Sequence, residues 1–120
     1  MNWIKLSLLT VIIAIIYLSL KAPSGGVNIS VNDKIGHLLA YSTLTFNTGL
    51  LFSKNKWTIM GILILLFSAL LEFLQGFVPG REVDWKDLIA NASGVIIGIV
   101  LLFFLKEKCL EFLKKLKIVY

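Results

Sequence analysis

Residues Trp57–Phe77 read WTIMGILILLFSALLEFLQGF, a run of 21 residues with one ionisable side chain, Glu72. A bilayer core takes about 20 residues of helix, and only helices or closed barrels satisfy their backbone there. Three further runs have the same character: Ile4–Leu20, Ile35–Phe52 and Leu88–Leu105. The chain is 120 residues long and 58% hydrophobic, with a mean hydropathy of +0.88. A soluble domain is about 45–50% apolar. No period-2 strand pattern competes, so the expectation is an all-α membrane protein: a four-transmembrane-helix bundle over residues 1–105, then a basic tail over 106–120. A cleavable signal peptide is the weaker reading of residues 1–24, resting only on Ala22 and Ser24 as small residues near the end of an apolar run.

Lysine and arginine set the orientation. The N-terminus (Lys5), the second loop (Lys54, Lys56) and the tail (Lys106, Lys108, Lys114, Lys115, Lys117) hold eight of the twelve, and the first loop (Lys21, Lys34) and third loop (Arg81, Lys86) hold four. Both termini and the second loop are therefore expected in the cytoplasm. The net charge of +5 comes largely from the tail, so it does not indicate nucleic acid. Cys109, Phe112, Leu113 and Leu116 recur there at helical spacing with lysines between. That pattern fits a short basic amphipathic helix on anionic lipid, and equally a basic end that only sets topology. The single cysteine excludes an internal disulfide.

The loops are short. Lys21–Asn32 carries Pro23, Gly25 and Gly26, which is turn chemistry, and contains an Asn28-Ile29-Ser30 sequon. The very short second loop predicts a tight antiparallel hairpin of the second and third helices. Pro79-Gly80 ends the third.

Polar residues gather where the second helix starts (Asp33, Lys34, His37), the third ends (Glu72, Gln75) and the fourth starts (Arg81, Asp84, Asp87, Asn91). In a hairpin-connected bundle these lie on one side of the membrane, the outer side in this orientation. Ionisable groups at membrane depth read as a functional site. Glu72 and Gln75 share a face at i, i+3, with Arg81, His37 and Lys34 as possible partners for the carboxylate. Asp33 is placed to cap the second helix or to orient His37 one turn on. Tyr41 continues that stripe, either as part of a polar path or as an interfacial aromatic. Asp84 or Asp87 can cap the fourth helix, leaving Asn91 pointing into the bundle. Ala90, Gly94 and Gly98 form a small-residue stripe suited to close helix packing. Zinc spacings, a phosphate loop and a nucleophile elbow are all missing from the sequence, and Pro23-Ser24-Gly25 lacks the second histidine of membrane phosphatases. No metal or cofactor is expected.

The order of these residues resembles the VanZ-like family. Asp33-Lys34-Ile35-Gly36-His37-Leu38-Leu39-Ala40-Tyr41 is similar to its D-K-x-x-H-x-x-x-Y signature. Glu72, Gln75, Pro79-Gly80-Arg81, Asp84, Asp87, Asn91, Gly94 and Gly98 follow its second block. The resemblance implies a four-helix integral membrane protein of the bacterial envelope, in a family whose founding member is associated with low-level teicoplanin resistance. It carries over no catalytic mechanism. Three readings of the polar end follow. It can bind an anionic lipid-linked envelope precursor or lipoglycopeptide, with Arg81 gripping phosphate or carboxylate. It can be a membrane-embedded hydrolase or transferase, with Glu72 or His37 as general base. Or it can be an interhelical clasp in a structural protein. Membrane lipids are the expected partners in every case.

The charge split makes a direct prediction. Reporter fusions after Lys56 and at Tyr120 should report a cytoplasmic location, and a fusion at Gly80 an external one. A cytoplasmic signal at Gly80 would overturn the orientation.

Overall fold

The computed structural model describes residues 3–20, 30–80 and 84–116, with only the backbone described for 30–33. The first loop with its turn residues and sequon, Arg81 and Lys117 lie outside the described residues, as do the side chains of Ser30–Asp33. Four α-helices appear in order: α1 (Trp3–Leu20), α2 (Ser30–Leu51), α3 (Trp57–Gln75) and α4 (Trp85–Lys115). A 3₁₀ turn, Lys54–Lys56, joins α2 to α3. The described residues contain no strand. After α3 the chain turns at Gly80, whose φ of 82° lies where glycine is favoured.

Among the described residues, three helices are long and apolar enough to cross a membrane: α1, the α3 segment and α4. The fourth, α2, is long enough at 22 residues but more polar. It tolerates its hydroxyls because Ser42, Thr43 and Thr48 each donate to the carbonyl one turn back, on Leu38, Leu39 and Leu44. Such back-bonding removes the demand for outside partners.

The expected short basic C-terminal helix does not form separately. Between Leu105 and Lys115 there is no glycine or proline, and Lys, Glu and Leu are good helix formers. The helix therefore runs on unbroken for 31 residues and is apolar over most of its length. Cys109 and Leu113 are half-buried against the core, whereas Phe112 and Leu116 are exposed.

Nor is α2 paired chiefly with α3. Its main neighbour is α4, and α3 packs more on α4 than on α2. The reason is in the glycines. A Cβ built at Gly94 would lie 2.6 Å from the Leu38 carbonyl oxygen, and one at Gly98 would lie 2.6 Å from Thr45 Cβ. Further along, Leu102 covers Gly49, and Lys106 Nζ donates to the Phe52 carbonyl at 2.6 Å. These contacts advance together along both chains, so α2 and α4 run parallel with their backbones nearly touching. Small residues permit such approach, and it outweighs the sequence proximity of α2 and α3.

The polarity of the molecule is inverted relative to a water-soluble fold. Ile59, Ile62, Leu66, Leu70 and Phe73 of α3, and Ile89, Ile96, Val100 and Phe104 of α4, face outward. Thr45, Ser68, Glu72, Gln75, Asp87 and Asn91 are buried.

Gly94→Leu should push α4 off α2 and lower thermal stability in detergent by about 1–3 kcal/mol, as overpacking does. Gly36→Leu, at a glycine with nothing within 4 Å of its built Cβ, should leave stability unchanged. Equal effects of the two would mean that the close contact is absent.

Candidate functional site

The parallel register of α2 and α4 brings Lys34 and His37 alongside Asp84, Asp87 and Asn91. Asp84 is the node. It stands in extended conformation before α4 and caps it, with Oδ1 accepting from the Lys86 backbone N–H at 2.9 Å. Its Oδ2 accepts from Lys34 Nζ at 2.7 Å. Its own backbone N–H donates to Glu72 Oε1 at 2.8 Å. One residue thus ties α2, α3 and α4 together.

Asp87 sits one turn further in. It accepts a second hydrogen bond from Lys34, and its Oδ2 lies 3.5 Å from His37 Nε2. The other imidazole nitrogen, Nδ1, is 2.9 Å from Asn91 Oδ1. Two α4 side chains therefore fix the orientation of the His37 ring. The described carboxylate beside that ring is Asp87, where the sequence pointed to Asp33. Asp33 is already the fourth residue of α2, one turn past the position from which a side chain caps a helix.

Glu72, 3% exposed, is not paired directly with Lys34, which is committed to the two aspartates. Gln75 is buried on the same face of α3. Arg81, the remaining expected partner, lies outside the described residues. Among the described residues no three His, Cys, Asp or Glu side chains gather at metal-ligand spacing.

Tyr41, 2% exposed, is buried against α4 and is not an interfacial aromatic. Two polar residues missed by the sequence reading continue the stripes inward. Ser68 is one turn before Glu72, and Thr45 one turn after Tyr41. Both are buried, and extending the four-residue spacing past the ionisable groups would have found them. Ser68 Oγ donates to the Leu65 carbonyl at 2.8 Å. Thr45 Oγ1 is the one buried side-chain polar atom without a partner among the described residues.

The cluster has a rim and a floor. The Lys34 and Asp84 side chains are 28% and 45% exposed, whereas Asp87, Glu72, Gln75 and Asn91 are buried.

A bundle of apolar helices with charged side chains gathered inside one end defines a multi-pass helical membrane protein. Among such proteins this chain belongs to the VanZ/LLP1 family, whose model matches residues 2–106. Neither a curated protein nor a solved structure matches it.

The hydrogen bond from Lys34, then that from the Lys86 N–H, holds the Asp84 carboxyl below the usual carboxylate range. A depressed carboxyl contributes stability above its unfolded pKa, about 3.9 for aspartate, and loses it as pH falls through the folded value. Asp84→Asn keeps a capping acceptor and removes the charge. Its melting temperature should therefore lie below wild type at a constant gap at neutral pH, and the gap should close below about pH 4. A gap independent of pH would mean that the Lys34 pair contributes nothing.

Proposed function

We propose that this chain is a four-span protein of the bacterial cytoplasmic membrane, with both termini in the cytoplasm, whose outward polar end binds an anionic lipid-linked envelope precursor or lipoglycopeptide. The observation that carries this reading is the burial of Glu72, Gln75, Asp87 and Asn91 at one end of a molecule with an apolar exterior. Placing ionisable groups there is expensive in a bilayer and is by default tied to function. As the fourth span, α2 would reach about 33 Å at ~1.5 Å per residue, enough for a hydrocarbon core of ~30 Å. The Lys34–Asp84 pair at the rim provides an exchangeable cation for a phosphate or carboxylate, and the outward apolar faces below it suit a lipid tail. The teicoplanin association of the family's founding member makes that lipoglycopeptide the first ligand to test.

A second reading, that the cluster is only a clasp and takes no part in ligand binding, is favoured by how completely Asp84, Asp87, Lys34 and His37 engage one another. Glu72→Gln separates the two. The measurement is teicoplanin susceptibility of a host expressing wild type, Glu72→Gln, Lys34→Gln or empty vector at matched membrane levels. For a binding site, wild type should reduce susceptibility and both substitutions should return it to the vector value. For a clasp, Glu72→Gln should keep the wild-type response and lose thermal stability. Equal susceptibility in all four would remove the antibiotic from consideration.

A further inference from the structure

Because α2 is drawn onto α4, it parts from α3, and α1 only partly covers the gap. The result is a groove of about 320 Å³ at the end of the bundle opposite the polar cluster. Leu8 and Ile12 of α1, Leu44 and Thr48 of α2, and Met60 and Phe67 of α3 form much of its lining. The Thr48 hydroxyl is already bonded to the Leu44 carbonyl at 2.7 Å, so it makes no polar demand on an occupant. One charged side chain lines the groove, Lys56, at its outer mouth in the α2–α3 turn.

We infer that this groove holds one acyl chain of an anionic phospholipid, with the phosphate at Lys56. Its length sets the occupant. Lys56 to Phe67 covers about 16 Å at the helical rise of ~1.5 Å per residue, which is half of a ~30 Å hydrocarbon core and so the depth of one leaflet. A single lipid tail entering at headgroup level fills that depth. Charge sets the headgroup. Neighbouring cations at this end are engaged, Lys106 on the Phe52 carbonyl and Lys54 over the Phe103 ring at 4.2 Å. Lys56 is exposed and has no carboxylate partner among the described residues, so it is available to a phosphate. The inference requires that the helices span a bilayer. It does not use the polar end, so it stands or falls separately from the ligand proposed there.

The test is lipid retention. The protein is reconstituted in nanodiscs of equal phosphatidylglycerol and phosphatidylcholine and extracted into neutral detergent, and the retained lipid is counted by mass spectrometry. Wild type should keep phosphatidylglycerol several-fold over phosphatidylcholine. Lys56→Gln should retain lipid but lose the preference. Thr48→Phe should fill the groove and lose retained lipid of both kinds. If that variant fails to accumulate, Leu63→Trp on the exposed rim serves instead, since Leu63 is 59% exposed. Retention without headgroup preference in wild type, an unchanged preference in Lys56→Gln, or full retention in the groove-filling variant would each overturn the assignment.

Discussion

The contact of α2 with α4 at Gly94 and Gly98 governs the arrangement of everything else. Van der Waals attraction in a bilayer is gained by bringing backbones close, because lipid tails remove the usual hydrophobic drive between helices. Two glycines one turn apart on α4 allow this against Leu38, Tyr41, Ser42 and Thr45 of α2. With the helices parallel and their registers locked, Lys34 must meet Asp84 and Asp87, and His37 must meet Asp87 and Asn91. At the far end Lys106 reaches the carbonyl of Phe52, the residue after α2. The same attraction opens α2 from α3, so the polar cluster and the apolar groove are two consequences of one packing decision.

That arrangement explains how a helix as polar as α2 can lie within an apolar molecule. The Ser42, Thr43 and Thr48 hydroxyls are returned to its own backbone, and Lys34 and His37 are met by α4. An isolated α2 would present Lys34 and His37 to lipid at considerable expense. Paired, it directs them to the buried Asp87 carboxylate and Asn91 amide, and Lys34 also to Asp84 at the rim. Asp84 extends this mutual dependence to α3 through a backbone hydrogen bond to Glu72. A change at one of these residues therefore acts on three helices.

Much was legible along the chain. Apolar runs of near-bilayer length placed the helices, since a backbone in hydrocarbon has almost no other way to satisfy itself. The spacing of Asp33 to Tyr41, and of Glu72 to Gly98, identified the family and the polar end, because side chains one helical turn apart share a face whatever packs against it. The stripe at Gly94 and Gly98 was readable as a site of close approach for the same reason.

Partners were not legible. Which helix the glycines would press on, which carboxylate would face His37, and whether Asp84 or Asp87 would cap α4 all depend on three-dimensional register. The second loop's shortness suggested that α2 and α3 would pair, but a short loop only keeps two helix ends near each other, while glycine-mediated contact acts along the whole helix. The separate basic tail was likewise a reading of composition. Composition does not break a helix, and the backbone continued to Lys115 because nothing between Leu105 and Lys115 stops it. The sequence by itself determined helices, faces and family, which follow from local periodicity and from the solvent. Only the tertiary structure decided the pairing of α2 with α4, the sharing of Lys34 by two aspartates and the groove beside α3, because these depend on which backbones can approach most closely.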